Sequence, residues 1–411
     1  MMPMMSPRAL ACAAAVSACT ATSPAPQQQP GPETVVADER PPRWQPRAEV
    51  AGCTLSTADM PADPRPWPAW QSCERENRSC QFVRREPPDA DAWLYGGLTA
   101  DGPTIAETWK HDARSHLIIR PLDGPTTLAV AIDGPRCEIA DVRFSTDTAS
   151  FMVTTKHVLD VVDVALFAGP LRDDPAWYVA TPVTSVFKPY PDHVLRGRTV
   201  TLLDRSGLRR AEPGDASFPR VVTFDAVFPW IAVVGDAVVY DEFEQGSAAR
   251  MLRPDGSSHV FLVAGAGQRI GGLVADGDRL YWLVGDVDGR NPISRDWGIR
   301  AMSLWAARLS ADQAPVDPRL VAKLDIPGPS TFPALHANGG KVVFISPSTS
   351  GPMHRTDLTI VYTDNGAMER VSLPDDIKLG TIFALTNREV VATLEVEDRP
   401  HGLVRVGLIA K

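Results

Sequence analysis

The residues best suited to chemistry are scattered along the chain. Eight histidines stand at positions 111, 116, 157, 193, 259, 336, 354 and 401, none in the H-x-H or H-E-x-x-H spacing that puts two imidazoles on one metal. No G-x-S-x-G nucleophile elbow occurs. A triad or a carboxylate pair would have to assemble from separate stretches, since spatial neighbours need not be sequence neighbours. Two short motifs have ligand-like spacing. Asp286-Val-Asp288-Gly-Arg-Asn291 alternates oxygen donors as a calcium loop does, but the closing glutamate of an EF-hand is missing, so an exposed turn is the simpler reading. Calcium is the one cofactor this sequence brings into question. Gly265-Ala-Gly267-Gln-Arg-Ile-Gly271 approximates a dinucleotide loop, yet Ile270-Gly-Gly-Leu-Val continues as a strand. Without a helix N-terminus to hold a pyrophosphate, it reads as a turn between strands.

The 411 residues are 44% hydrophobic, enough for a packed core, and their formal charge of −9 argues against the basic face of a nucleic-acid binder. The 38 prolines argue against long helices.

The first residues carry an address. Arg8 precedes the short apolar run Ala9–Ala15, which reads as an export signal and is too short for a permanent membrane span. Val16-Ser17-Ala18-Cys19 resembles the lipobox of bacterial lipoproteins. That resemblance implies removal of residues 1–18 and lipidation of Cys19. With Thr20 in place of Asp behind the cysteine, it also implies an outer-membrane anchor, facing the periplasm or the cell surface. Each buried acyl methylene would contribute about 0.8 kcal/mol to anchoring, and the lipid is the only membrane attachment expected. Residues 19–50 are rich in proline and lack periodicity, as expected of an extended tether.

Export changes the cysteine arithmetic. Cys12 leaves with the signal and Cys19 carries the lipid, so Cys53, Cys73, Cys80 and Cys137 remain to form two disulfides. Three pairings are open. Proximity favours Cys73–Cys80, which leaves Cys53–Cys137 to tie residues 51–91 to the main domain. That segment reads as an irregular cap or a disulfide-bonded strand pair.

From residue 92 to 411, short apolar runs alternate with turn residues, the pattern of strands. Gly235-Asp-Ala-Val-Val-Tyr240, Gly277-Asp-Arg-Leu-Tyr-Trp282, Gly339-Gly-Lys-Val-Val-Phe344 and Asn387-Arg-Glu-Val-Val-Ala392 repeat one form, a turn pair, a spacer and an apolar strand. They recur about 42 to 62 residues apart, the period of a β-propeller blade. Weaker echoes begin at Gly102, Thr146 and Pro191. The fold expected is all-β, a six- or seven-bladed propeller behind the signal and tether. Thr331-Phe-Pro-Ala-Leu-His-Ala-Asn-Gly-Gly-Lys-Val-Val-Phe-Ile-Ser346 resembles the TolB-type, WD40-like repeat of bacterial envelope propellers, and Phe228-Pro-Trp-Ile-Ala-Val-Val-Gly-Asp-Ala-Val-Val-Tyr240 is similar. Both lack that family's Ser-Pro-Asp-Gly turn, so the resemblance implies a fold more than a function.

In such a fold, the loop between a blade's second and third strands shares a face with the loop entering its innermost strand. The insertion between Gly285 and Arg300 would place Trp297 beside Trp230, Asp241, Glu242, Phe332, His354 and His401, a candidate binding surface. The leading expectation is a non-enzymatic envelope scaffold with a protein or glycan partner. The alternatives are a glycosidase or lyase at the channel mouth and a surface adhesion module. Oligomeric state is left open.

Overall fold

In the computed structural model, residues 53–57, 67–75, 80–85 and, interrupted at several connections, 92–408 are described. Cys19, the signal and the tether lie outside them. Every regular element described is a strand.

Three strands precede the repeats: β1 (Thr54–Thr57), β2 (Gln71–Arg75) and β3 (Cys80–Arg85). Blade 1 comprises β4 (Trp93–Thr99), β5 (Gly102–His111), β6 (Arg114–Pro121) and β7 (Leu128–Asp133). Blade 2 comprises β8 (Cys137–Phe144), β9 (Thr148–Lys156), β10 (Val162–Pro170) and β11 (Tyr178–Ser185). Blade 3 is β12 (Asp192–Arg196), β13 (Thr199–Asp204), β14 (Gly207–Ala211) and β15 (Arg220–Thr223). Blade 4 is β16 (Ile231–Val234), β17 (Ala237–Glu242), β18 (Ala248–Leu252) and β19 (Ser258–Val263). Blade 5 follows with β20 (Gln268–Asp276), β21 (Arg279–Val287), β22 (Ile299–Leu309) and β23 (Pro315–Leu324). Blade 6 has β24 (His336–Asn338), β25 (Lys341–Pro347), β26 (Thr356–Tyr362) and β27 (Met368–Ser372). Only β28 (Lys378–Leu385), β29 (Glu389–Val396) and β30 (Arg399–Gly407) remain for blade 7.

The first strands of the repeats, β4, β8, β12, β16, β20, β24 and β28, each contact the next, and β28 contacts β4. The ring therefore closes as a seven-bladed, WD40-like β-propeller with those strands innermost. Adjacent residues of a strand point to opposite sheet faces, and here both faces are covered by neighbouring blades. In β25, Val343 packs with the cluster between blades 6 and 7 while Phe344 packs with the one between blades 5 and 6. In β21, Tyr281 and Trp282 divide in the same way between blades 6 and 4. Two-sided burial is why these strands read as unbroken apolar runs. Seven apolar clusters of described residues fill the seven seams.

The innermost strands approach so closely that glycine is required where a neighbour's aromatic ring lands. A methyl group on Gly96 of β4 would overlap the Phe383 ring of β28, and one on Gly271 of β20 would overlap Phe332. The glycine motif therefore divides: Ala266 and Gly267 form the turn into β20, whereas Gly271 lies inside that strand. The turn pairs at Gly277, Gly339 and Asn387 join the innermost strand of a blade to its second strand. The echo at Pro191 is out of phase, because Asp192–Arg196 is the innermost strand itself and its turn follows at Gly197.

Strands from the expected segment 51–91 pair with strands of the repeats. β3 pairs with β30 along Gln81–Arg85 and supplies the missing fourth strand of blade 7. β2 pairs with β3 and also with β27, joining the outer edges of blades 7 and 6. β1 extends blade 1 by pairing with β7. Cys53, ahead of β1, is bonded to Cys137 at the head of β8, and Cys73 to Cys80 across the β2–β3 pair. Residues 53–85 thus belong to blades 6, 7 and 1 and are tied to blade 2.

Candidate functional site

Three arrangements of polar side chains stand out. The first fills the seam where the ring closes, between blades 7 and 1. Its apolar cluster holds six buried residues among those described, Leu94, Ile105, Leu122, Ala384, Val391 and Leu403, and charged groups lie beside it. Arg120 of β6 donates to Glu107 of β5, both almost wholly buried. Arg405 of β30 donates to Glu389 at 2.9 and 3.0 Å and to Asp123 at 2.8 Å. Trp67, upstream of β2, donates its indole N–H to Asp123 and lies under two guanidinium groups, Arg85 at 4.4 Å and Arg405 at 5.2 Å. Burial, and then the neighbouring Arg120, push Arg85 down to about 10, which leaves it charged near neutral pH. Positive and negative groups balance, so the cluster holds strands that arrive from opposite ends of the sequence.

The second arrangement has the atoms of a nucleophilic triad. Ser150 of β9 shares a 2.9 Å hydrogen bond with His193 Nε2 of β12, and His193 Nδ1 lies 3.2 Å from Asp141 Oδ2 of β8, off the line of a good hydrogen bond. Burial pushes the Asp141 carboxyl up, but Arg143 and His193 outweigh it and hold the group below its ordinary value. Ser150 and His193 are both 0% exposed. No substrate carbonyl can reach a nucleophile sealed between two blades, so the three residues lock blade 2 to blade 3. The spacing 141, 150, 193 leaves no local signal by which sequence reasoning could find them. A Ser-x-x-Lys spacing also occurs, from Ser185 at the end of β11 to Lys188, which lies outside the described residues.

The third concerns the two faces of the disc. One face carries the turns from innermost to second strand, several only two residues long, as between Asn338 and Lys341. The strand ends that flank 243–247, 288–298, 325–335 and 348–355 all lie on the opposite face. Strand alternation brings the ends flanking the candidate binding residues to this second face. Trp230, Trp297, His354, Asp288 and Asn291 lie outside the described residues. Asp241 and Glu242 end β17, and His401 lies early in β30. Phe332 departs from the expected exposed aromatic: it is half-buried, wedged against Gly271 and Gly285, and packs between blades 5 and 6. Asp286 is exposed and accepts a 2.9 Å hydrogen bond from Gln268. No group of three or more metal-ligating side chains converges among the described residues. An aromatic the sequence did not single out, Trp93, opens β4 on this same face and is 48% exposed.

No protein-family model matches the chain, and no curated protein matches it. Solved structures do resemble it. The β-propeller domain of the Trilobed protease from Pyrococcus furiosus aligns with 76% of this chain and 95% of that one, at 12% identity and a TM-score of 0.45. The WD40 domain of SCAP from fission yeast aligns with 79% and 98%, at 7% identity and a TM-score of 0.43. A prolyl endopeptidase aligns with 77% of this chain but only 47% of its own length, at 12% identity and a TM-score of 0.47. These are likenesses of fold.

Proposed function

We propose that the chain is an exported, lipid-anchored, non-enzymatic scaffold that binds an envelope protein or glycan through the loop-bearing face of its propeller. The observation that carries this reading is the asymmetry of the faces. From β4 to β30 the two longest gaps between consecutive strands, 288–298 and 325–335, both open on one face, whereas the face of the short turns that follow the innermost strands carries gaps no longer than that of 212–219; long connections are the usual place for recognition on a rigid frame. The two disulfides fit an oxidising compartment. The lipid anchor rests on the Val16–Cys19 motif alone, and mass spectrometry of the mature N-terminus tests it: an unmodified terminus at another position removes it. A serine-nucleophile reading of the Ser150 cluster would need its hydroxyl to reach solvent, and it is sealed.

The test of the face is the double substitution Trp230→Ala, Trp297→Ala. The variant should lose capture of its partner from envelope extracts while keeping the wild-type melting temperature. Recovery of the same proteins by variant and wild type would refute the face.

A further inference from the structure

We infer that the head of blade 1 is a subsite for a neutral pyranose ring stacked on Trp93, an inference that rests on the scaffold reading and gives its face a ligand class. Trp93 is the first residue of an innermost strand, so it stands at the loop-bearing end of that strand, on the side toward blade 2 that it shares with Tyr95. Its cross-strand partner is Thr108, a buried residue, and Lys110 follows two positions on, on the same side of the sheet. Lys110 Nζ lies 3.9 Å from Glu138 Oε1 at the head of β8, with both side chains open to solvent. On the other flank of β4, at the head of β28, Lys378 pairs with Glu395 at 3.2 Å. The strand that carries this exposed indole is thus flanked by two cation–carboxylate pairs, Lys110–Glu138 on the blade 2 side that Trp93 shares with Tyr95 and Lys378–Glu395 on the blade 7 side.

One ammonium and one carboxylate on each flank favour neither an anionic nor a cationic ligand. Each also offers ammonium donors beside carboxylate acceptors, the combination that sugar hydroxyls can satisfy in both directions. The flat indole face supplies an apolar platform for the axial C–H bonds of a ring whose hydroxyls are equatorial. A neutral β-linked hexopyranose has that shape and that hydrogen-bonding pattern. No bond is made or broken.

The test is titration calorimetry of residues 20–411 with cellobiose and with N,N′-diacetylchitobiose, using wild type, Trp93→Ala, Trp93→Phe and Trp70→Ala. Trp70 is a useful control, exposed to 44% but placed beside β2 at the ring's outer edge. At least one disaccharide should bind wild type with a Kd of about 1 mM or tighter, and Trp93→Ala should weaken it at least about tenfold. Trp93→Phe should retain part of the affinity, and Trp70→Ala all of it. Melting temperatures should match, because the ring removed is half in solvent. Binding of neither disaccharide, or equal binding by wild type and Trp93→Ala, overturns the inference. If that happens while Trp230→Ala, Trp297→Ala still abolishes partner capture, the ligand class is wrong and the scaffold reading stands.

Discussion

Cys53, ahead of the outermost strand on blade 1, is bonded to Cys137, the first residue of the innermost strand of blade 2, across a sequence separation of 84. The bond runs from the rim of one blade to the hub of the next and closes a loop containing β1, β2, β3 and the whole of blade 1. In the chain-entropy picture a loop of that size is worth about 4–5 kcal/mol, against about 2 kcal/mol for the short Cys73–Cys80 loop. Cys53→Ala, Cys137→Ala should therefore lower the denaturation midpoint clearly more than Cys73→Ala, Cys80→Ala. Urea unfolding of the two double variants makes the comparison.

The buried Arg120–Glu107 pair is held inside the closing seam, and Arg120 Nη1 has no further hydrogen-bond partner among the described residues. Glu107→Gln alone should cost about 3–5 kcal/mol, because it strands a guanidinium away from water. Replacing both, Glu107→Leu with Arg120→Met, should recover most of that loss. A double-mutant cycle in urea measures the coupling.

Sealing of the Ser150 cluster has a chemical consequence. A serine-directed fluorophosphonate should leave Ser150 unlabelled in the folded protein, as peptide mass spectrometry would show. Ser150→Ala should instead reduce stability, by about 1–3 kcal/mol, since it leaves the buried His193 Nε2 without its partner.

His336, at the start of innermost strand β24, keeps part of its surface in solvent, but burial of the imidazole pushes it down to about 4 from an ordinary value of 6.5. Above pH 6.5 the ring is neutral in both folded and unfolded chains and contributes no pH dependence. Between pH 6.5 and about 4 only the unfolded chain takes up the proton, so stability falls as the pH falls, by at most about 3 kcal/mol and less because the residue is partly exposed. His336→Gln should flatten that slope in denaturation curves recorded from pH 7.5 to about 4.5.

Much of the blade pattern is legible in the sequence, because blades buried on both faces need unbroken runs such as Lys341-Val-Val-Phe-Ile and turn pairs such as Gly277-Asp278. Strands at the ring's rim leave a weaker trace. Thr54–Thr57 and Gln71–Arg75 are short and polar, since an outermost strand need not be covered on both faces, and nothing in their pattern ties them to the blades. The site residues were harder still. Ser150, His193 and Asp141 meet only because consecutive blades meet, and a tryptophan at the head of an innermost strand, such as Trp93, looks in sequence like any core aromatic. Phe332 shows the converse, an aromatic in a loop whose neighbours Gly271 and Gly285 draw it inward.

The central claim, that recognition belongs to the loop-bearing face, is tested most directly by site-specific photo-crosslinking in living cells. A photoreactive residue would replace Trp93 or Asp286 on that face, and Asp278 or Asn365 on the face of tight turns. The account predicts discrete crosslinked partners from the first pair and none from the second. Crosslinks from the turn face, with none from Trp93 or Asp286, would contradict it.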